Sequence, residues 1–395
     1  MRSLLLQTIA VTIINVKSMP QRFWLSLSTV IAVALVVVVL LTFLAMANGF
    51  QRTIAGSGSD DIAIILRGGS QSEINSTVSR DQIRLIEEAP EIARDAANKP
   101  LVSAELYLTV DGLKRSSHTK ANLPLRGIGQ AGLAARTGIR ILAGRMFNSG
   151  ANEIVVGKAL THEFEGFELG QTVTFGATRW TLVGIFEAGG SVFESEIWAD
   201  LPVVQSLFKR TNYFQTVRVR LQSPATLGRV KSYVDADPRL KLDVKSEAEY
   251  FAEQAAQTTD LIQKLGWPLA IAMAFGALAG ALNTMYSSVS ARAVEIATLR
   301  AIGFAAFPAF FGTLVESLIL AAAGGACGAL ATFLLFDGVT ASTLGASFTQ
   351  VVFSFQLSPR LIAQGICLAL IVGVIGGLFP AIRAARMPIV AGLYG

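Results

Sequence analysis

Apolar and polar positions divide the chain into two kinds of sequence. Four stretches are apolar on every side: Phe23 to Ala47, Leu265 to Val289, Ala305 to Phe336 and Leu361 to Ala381. Each reaches the roughly 20 residues that a helix needs to cross a bilayer. Glu316 is the only charged residue in any of them. They predict an α-helical membrane protein with four transmembrane helices. The first run follows Arg2, Lys17 and Arg22 and ends in Ala45-Met46-Ala47, the outline of a cleavable leader. Its apolar core exceeds the roughly 7–15 residues of such a leader, so it reads as an uncleaved anchor. Ahead of it, Leu4 to Val16 is apolar but interrupted by Gln7, Thr8, Thr12 and Asn15. That pattern fits an elbow helix lying in the membrane interface, with the chain entering the bilayer after Pro20.

The long segment between the first and second runs has a different rhythm. Asp61 to Arg67, Leu101 to Val110, Glu153 to Val156, Gln171 to Phe175, Trp180 to Phe186, Gln215 to Leu221 and Lys241 to Val244 are short, rich in β-branched or aromatic residues, and flanked by Gly or Asp. They predict strands. Ser79-x-x-Gln82 predicts a helix opened by a capping box. Ser223-Pro224 predicts a second, with Ser as cap and Pro in its first turn. Ser246-x-x-Glu249 predicts a third, running about 20 residues to a break at Gly266 and Pro268. This third helix reads as a stalk, with Tyr250, Phe251, Leu261 and Ile262 available to pack it. The fold expected is therefore four spans plus a mixed α/β extracytoplasmic domain of two lobes inserted between helices 1 and 2. In residues, this is an elbow and first span (1–48), the α/β domain (49–245), the stalk (246–264), the second span (265–289), a short loop (290–304), the third span (305–336), an outer loop (337–360), and the fourth span with its tail (361–395).

Charge sharpens the division. Residues 49–263 carry 24 Lys or Arg and 25 Asp or Glu, so the net +5 of the chain belongs to the apolar part. A basic excess beside membrane spans follows the positive-inside rule, and nucleic acid is not an expected partner. Arg2, Lys17 and Arg22 precede the first span, Arg292 and Arg300 lie between the second and third, and Arg383 and Arg386 follow the fourth. Asp337 to Ser358 has no Lys or Arg. Both termini and the 290–304 loop are expected in the cytoplasm, and the large domain outside it.

Candidate chemistry is sparse. Cys327 and Cys367 lie in apolar runs and His118 and His162 stand apart, so neither a disulfide nor a metal site is expected in the outer domain. No G-x-x-x-x-G-K-[ST], H-E-x-x-H or G-x-S-x-G occurs. No catalytic residue, bound cofactor or metal is expected, and the chain is not read as an enzyme. Glu316 is costly inside a span. It has a structural reading, helix packing near the cytoplasmic surface, and a functional one, binding a cation or proton. Gly276 and Gly280, Gly324 and Gly328, and Gly373 and Gly377 repeat at i, i+4, a spacing that lets membrane helices approach closely or dimerise.

The loop after the second span reads Arg292-Ala-Val-Glu295-Ile296-Ala-Thr-Leu299-Arg300-Ala-Ile302-Gly303. It resembles the R-x-x-E-I-x-x-L-R-A-x-G element of the MacB/FtsX/LolC class (type VII) of ABC transporter permeases. Gly376-Gly377-Leu-Phe-Pro380-Ala381, Gly144-Arg145-x-Phe147 and Asn152-Glu153-x-Val155-x-Gly157 look like further elements of that class. The chain is most similar to its short members without a fused ATPase, the DevC-like permeases. The resemblance implies an ATP-driven export permease of the bacterial inner membrane that works by mechanotransmission. Arg292, Glu295, Ile296, Leu299, Arg300, Ile302 and Gly303 would form a coupling helix on a separate ATPase subunit, which would bind ATP and Mg. A second permease copy (in a homo- or heterodimer), membrane lipid, a periplasmic adaptor and an outer-membrane channel are the other implied partners. Activation of cell-wall hydrolases, as by FtsX, and LolC-like extraction of lipid or lipoprotein are the alternatives.

Overall fold

A computed structural model describes residues 2–388 apart from 137 and 346. The end of the expected tail, 389–395, lies outside the described residues. The helices are α1 (Arg2–Ser18), α2 (Phe23–Ala55), α3 (Arg80–Glu87), α4 (Gln130–Ala135), α5 (Lys158–Glu163), α6 (Leu201–Leu207), α7 (Leu227–Ala236), α8 (Glu247–Ala291), α9 (Ala293–Ala301), α10 (Ala306–Phe336) and α11 (Pro359–Arg386). Two compact units emerge. One holds the chain up to Asn48, Leu261–Val339 and the chain from Phe355 on; the other holds Gly49–Asp260 and Thr340–Ser354.

Among the described residues four helices are long and apolar enough to cross a membrane, α2, α8, α10 and α11, and the helical unit holds most of each. Glycine sets their spacing. A Cβ on Gly324 would stand 2.8 Å from Val33, and one on Gly328 would stand 2.6 Å from the Ala34 carbonyl, so α10 lies against the backbone of α2. A Cβ on Gly377 would meet Ser317 at 2.6 Å, and Gly373 faces Ala321, which closes α11 on α10. Close approach of this kind replaces the hydrophobic drive that is missing in lipid. The Ser317 hydroxyl donates to the Gly373 carbonyl at 2.7 Å across that contact. Val33, Val37, Leu41, Ala277, Ala329, Ala369 and Val372 fill the space between the four helices. Gly276 and Gly280 behave differently, since nothing lies within 4 Å of where their Cβ atoms would stand. The sequence pattern gave all six glycines one role; the fold gives a packing role within the chain to four.

α1 is a helix whose polar side faces inward. Thr8, Val11 and Asn15 are buried, whereas Leu5, Leu6, Ile9, Ile13 and Ile14 are exposed. Val11 and Asn15 sit over Gly312 of α10. An apolar outer face on a helix beside four spans suits lipid rather than water. The break expected at Gly266 and Pro268 is absent, and α8 continues through both. Gly266 is used for close approach to Phe43. A proline inside a long apolar helix removes one backbone donor, which the turns on either side tolerate. Of the four stalk residues, Tyr250, Phe251 and Ile262 are buried, but Leu261 is 63% exposed.

The sheet unit is built on β1 (Ile62–Arg67), β2 (Val78–Ser79), β3 (Val102–Leu113), β4 (Lys120–Ile128), β5 (Arg140–Gly144), β6 (Glu153–Gly157), β7 (Thr172–Phe175), β8 (Thr178–Glu187), β9 (Ile197–Asp200), β10 (Tyr213–Phe214), β11 (Thr216–Arg220), β12 (Leu242–Ser246), β13 (Thr340–Leu344) and β14 (Gln350–Ser354). Ten of these form one mixed sheet in the order β12-β1-β11-β3-β4-β9-β6-β8-β5, with β7 also on β8. Pairs β4–β9 and β6–β8 are parallel and the other pairs antiparallel. Two apolar clusters lie on this one sheet. One gathers Ile65, Ile86, Val217, Val230 and Val244; the other gathers Leu123, Ile154, Trp180, Leu182 and Ile197.

The capping box at Ser79 forms in full. Ser246 gives half of one, its hydroxyl accepting from the Glu249 amide at 3.0 Å. The Ser223 side chain caps nothing; the chain makes a single 3-10 turn at Pro224–Thr226 before α7 begins. The expected outer loop is instead a hairpin, β13–β14, that belongs to the sheet unit. Val352 joins the second apolar cluster, and its amide donates to the Ser195 hydroxyl at 2.9 Å.

Candidate functional site

The loop between the second and third spans folds as α9. Its stop signal is complete. Gly303 has φ +102°, a conformation that favours glycine, and the Gly303 amide donates to the Arg300 carbonyl at 3.1 Å. The next amide, of Phe304, reaches back to the Leu299 carbonyl at 3.0 Å. This is a Schellman cap, so Gly303 ends the helix rather than offering a surface.

The other loop residues divide into three groups. Arg300 donates from Nη1 to the carbonyls of Ala385 and Met387 at 3.0 and 2.8 Å, placing a cation on the C-terminal end of α11. Arg292 turns inward and is 4% exposed. Its Nη2 donates to Ser288 at 3.2 Å and pairs closely with Glu316. Ile296 and Leu299 are half-buried against a cavity shared with α1 and the start of α10. Val294, Glu295, Thr298 and Ile302 are left exposed, on one outward face at helical spacing.

Glu316 has three partners. The Ser288 hydroxyl donates to it at 3.2 Å, Arg292 pairs with it, and Arg22 lies 4.0 Å away. Arg22 also donates to the Ser288 carbonyl at 3.3 Å. Two guanidinium groups thus share one carboxylate where α2, α8, α9 and α10 meet. Pairing supports the structural reading of Glu316, because a lone carboxylate there is costly. The sequence singled out Glu316 and Arg292 but not their pairing, because the spacing that joins them depends on how α8 and α10 pack.

A larger ionic centre lies inside the sheet unit, and sequence reasoning missed it. Arg126 makes a two-pronged contact with Glu196 at 2.7 and 2.6 Å and donates to Glu73 and Glu105 at 2.6 and 2.9 Å. Arg136 grips Glu105 with two bonds of 2.7 and 2.8 Å. Arg218 donates to Glu105 at 3.1 Å and to Glu73 at 2.8 Å. Its Nε stands 3.1 Å from Glu247 Oε1, but the two are misaligned and neither makes a hydrogen bond. All seven residues are buried. Burial alone would raise the Glu105 carboxyl; Arg136, Arg218 and Arg126 outweigh it and hold the group far below the usual carboxylate range. Glu73 is lowered in the same way, burial being overcome by Arg126 and Arg218. Glu247 goes the other way, because burial pushes it up and Arg218 and Arg136 only partly oppose that.

This centre holds the first turns of α8. Glu247 opens the helix, Tyr250 accepts from the Glu73 amide at 3.2 Å, and Gln254 bonds to the Gln71 carbonyl. The hairpin closes over it, with the Tyr107 and Thr349 hydroxyls 3.1 Å apart and Arg126 stacked 4.7 Å over the Tyr107 ring. The sequence signal was present: Glu105 stands between Ala104 and Leu106, Arg126 follows Leu125, and Arg218 stands between Val217 and Val219, each a charge among apolar strand residues.

Comparison with known proteins gives two domain families. Residues 26–237 match the MacB-like periplasmic core domain, and residues 268–389 match the FtsX-like permease C-terminal domain. A macrolide export ATP-binding/permease protein MacB 1 from Aeromonas hydrophila is 27% identical over 67% of this chain and 42% of its own length. A pyoverdine export ATP-binding/permease protein PvdT from Pseudomonas entomophila is 23% identical over 91% of this chain and 55% of its own. The chain thus spans about half the length of these relatives. Among solved structures, the periplasmic region of MacB from Actinobacillus actinomycetemcomitans aligns with 53% of this chain and 97% of its own, at 14% identity and a TM-score of 0.36.

Proposed function

Because the chain belongs to the MacB/FtsX-type ABC transporter permeases, we propose that it is the membrane subunit of an ATP-driven exporter worked by a separate cytoplasmic ATPase. α9 carries this reading. It is a short helix between two spans, capped at its end, with Val294, Glu295, Thr298 and Ile302 facing outward. Of the loop residues first assigned to docking, Glu295 and Ile302 keep that role. Arg292 and Arg300 fix α9 to its own chain, so that a push on the outer face is carried into α8, α10 and α11 rather than lost in a loose loop. α8 is unbroken from Glu247 to Ala291. In this reading it transmits the motion to the sheet unit, whose ionic centre holds its first turns, a rigid-body transmission.

In this reading both termini and α9 lie on the cytoplasmic side of a bacterial inner membrane and the sheet unit in the periplasm, an orientation that the arginine flanks favour. ATP and its Mg belong to the partner ATPase, and this chain supplies no catalytic residue. The open face around Gly276 and Gly280 on α8 suits a second permease copy. A periplasmic adaptor and an outer-membrane channel complete the assembly. The export names of the relatives favour export over lipid extraction or hydrolase activation.

The test is co-expression with a candidate ABC ATPase subunit from the same genome. Glu295→Lys with Ile302→Asp is expected to abolish co-purification and stimulated ATP hydrolysis while membrane insertion stays normal. Stimulation equal to that of the unaltered chain would remove the docking assignment.

A further inference from the structure

The charge around Glu316 is not balanced. Arg22 and Arg292 share its single carboxylate, and both guanidiniums are largely out of water, with side chains 15% and 5% exposed. Arg292 also has a buried Nε–H with no partner. A buried donor left unpaired is costly, and a buried cation in excess is costlier still.

Arg292 lines a cavity between α1, α9 and the first turns of α10. Ile14, Ile296 and Leu299 give it apolar walls, and Arg300 and Asn15 add donors. Glu295 reaches it too, but from the exposed side of α9, where water screens its charge. Among the described residues, Arg292, Arg300 and Glu295 are the charged groups that line the cavity, and Arg22 and Glu316 lie behind Arg292, so the site is cationic. Its interior is small, about 30 Å³. Next to it, Ile13 on α1 and Phe307 and Phe311 on α10 expose further apolar surface. The cavity sits where the apolar run of α10 begins, at the level of lipid headgroups. A free ion would gain nothing from these apolar surroundings; an anion that brings alkyl chains gains from both parts.

We infer that this cavity holds the phosphodiester of an anionic phospholipid, with its acyl chains along α1 and α10. The phosphate offsets the excess positive charge beside Arg292 and Arg300. The headgroup beyond the phosphate leaves through the mouth. The elbow helix thereby becomes one wall of a lipid site, which accounts for its inward polar side and outward apolar one.

The test uses the full chain in detergent, mixed with phosphatidylglycerol or phosphatidylcholine of the same acyl chains, with retained lipid counted by native mass spectrometry. No ATPase takes part, so the result stands apart from the docking assignment. The unaltered chain is expected to retain phosphatidylglycerol about tenfold more strongly, the effect of one or two charge-assisted hydrogen bonds. Leu299→Glu puts a carboxylate in the wall without touching the arginines. It is expected to bring phosphatidylglycerol down to the phosphatidylcholine level. Equal retention of the two lipids by the unaltered chain would overturn the inference, and so would a preference that survives Leu299→Glu. Displacement of the lipid by millimolar inorganic phosphate would mark a free-anion site and overturn it as well.

Discussion

The two ionic centres of this chain are built from the same residue types to opposite balance. In the sheet unit, three arginines meet four glutamates, and each of Arg126, Arg136 and Arg218 makes at least two hydrogen bonds to carboxylates. In the helical unit, two arginines meet one glutamate, and Arg292 keeps an unpaired Nε–H. A surplus of carboxylate is easily absorbed, because one group can take up a proton, and the raised Glu247 leans that way. Arginine has no such outlet, since it does not lose its proton in proteins. The first centre also leaves Arg136 Nε, Arg218 Nε and Glu247 Oε1 without a hydrogen bond, but it has carboxylates enough for its arginines and serves to hold strands and the first turns of α8. The second calls for another anion.

The comparison can be broken most forcefully at Arg126. Arg126→Met leaves Glu73, Glu105 and Glu196 short of a partner and is expected to destabilise the sheet unit by about 3–5 kcal/mol. Urea unfolding of the full chain followed by tryptophan fluorescence measures this, because Trp180 and Trp198 are both fully buried there. A shift below about 1 kcal/mol would mean that the network is slack. Next in size is Gly328→Val, which forces side-chain atoms into the Ala34 carbonyl of α2 and is expected to cost about 1–3 kcal/mol. Gly280→Val meets nothing within the chain and should leave thermal stability in detergent unchanged. Equal effects from the two would erase the distinction between packed and open glycines. Arg22→Gln should cost less than about 1 kcal/mol, because it leaves Arg292 and Glu316 as a matched pair. A loss as large as that of Arg126→Met would show that the helical centre is balanced after all.

The smallest effect is a tilt with pH. Glu247 holds its proton to higher pH in the folded chain than in the unfolded one, so its contribution to stability falls as pH rises from about 4.5 through its raised value. Glu73 and Glu105 are lowered, so theirs is full above about 4.5 and is lost as pH falls below it. Glu247→Gln should therefore flatten the loss on the neutral side and leave the acid loss intact. Melting temperatures taken across that range would check it; an unchanged neutral side would contradict it.

The sequence reveals the helical unit more fully than the sheet unit, for a physical reason. A span must be apolar along its whole length, so Phe23 to Ala47 announces itself without any partner. Strands such as β9 and β5 are only 4 and 5 residues long and are recognisable only beside their neighbours. The hairpin β13–β14 escaped because its apolar side, Val351 to Phe353, becomes buried only on the sheet unit. The loop motif located α9, but its residues looked alike in sequence. Burial then separated Arg292 and Arg300, which tie the helix down, from Glu295 and Ile302, which face out. Arg22 could not be linked to Glu316 by spacing, because the two stand 294 positions apart with α2 to α9 between them.

The outer face of α9 is where contact with the ATPase is expected. A single cysteine at Ile302, in a chain with Cys327 and Cys367 replaced by alanine, can be crosslinked in membranes that contain the partner ATPase. The expected result is a permease–ATPase adduct from position 302 and none from a cysteine at Gly276. No adduct from 302, with the ATPase still co-purifying, would place the coupling surface elsewhere and contradict the role given to α9.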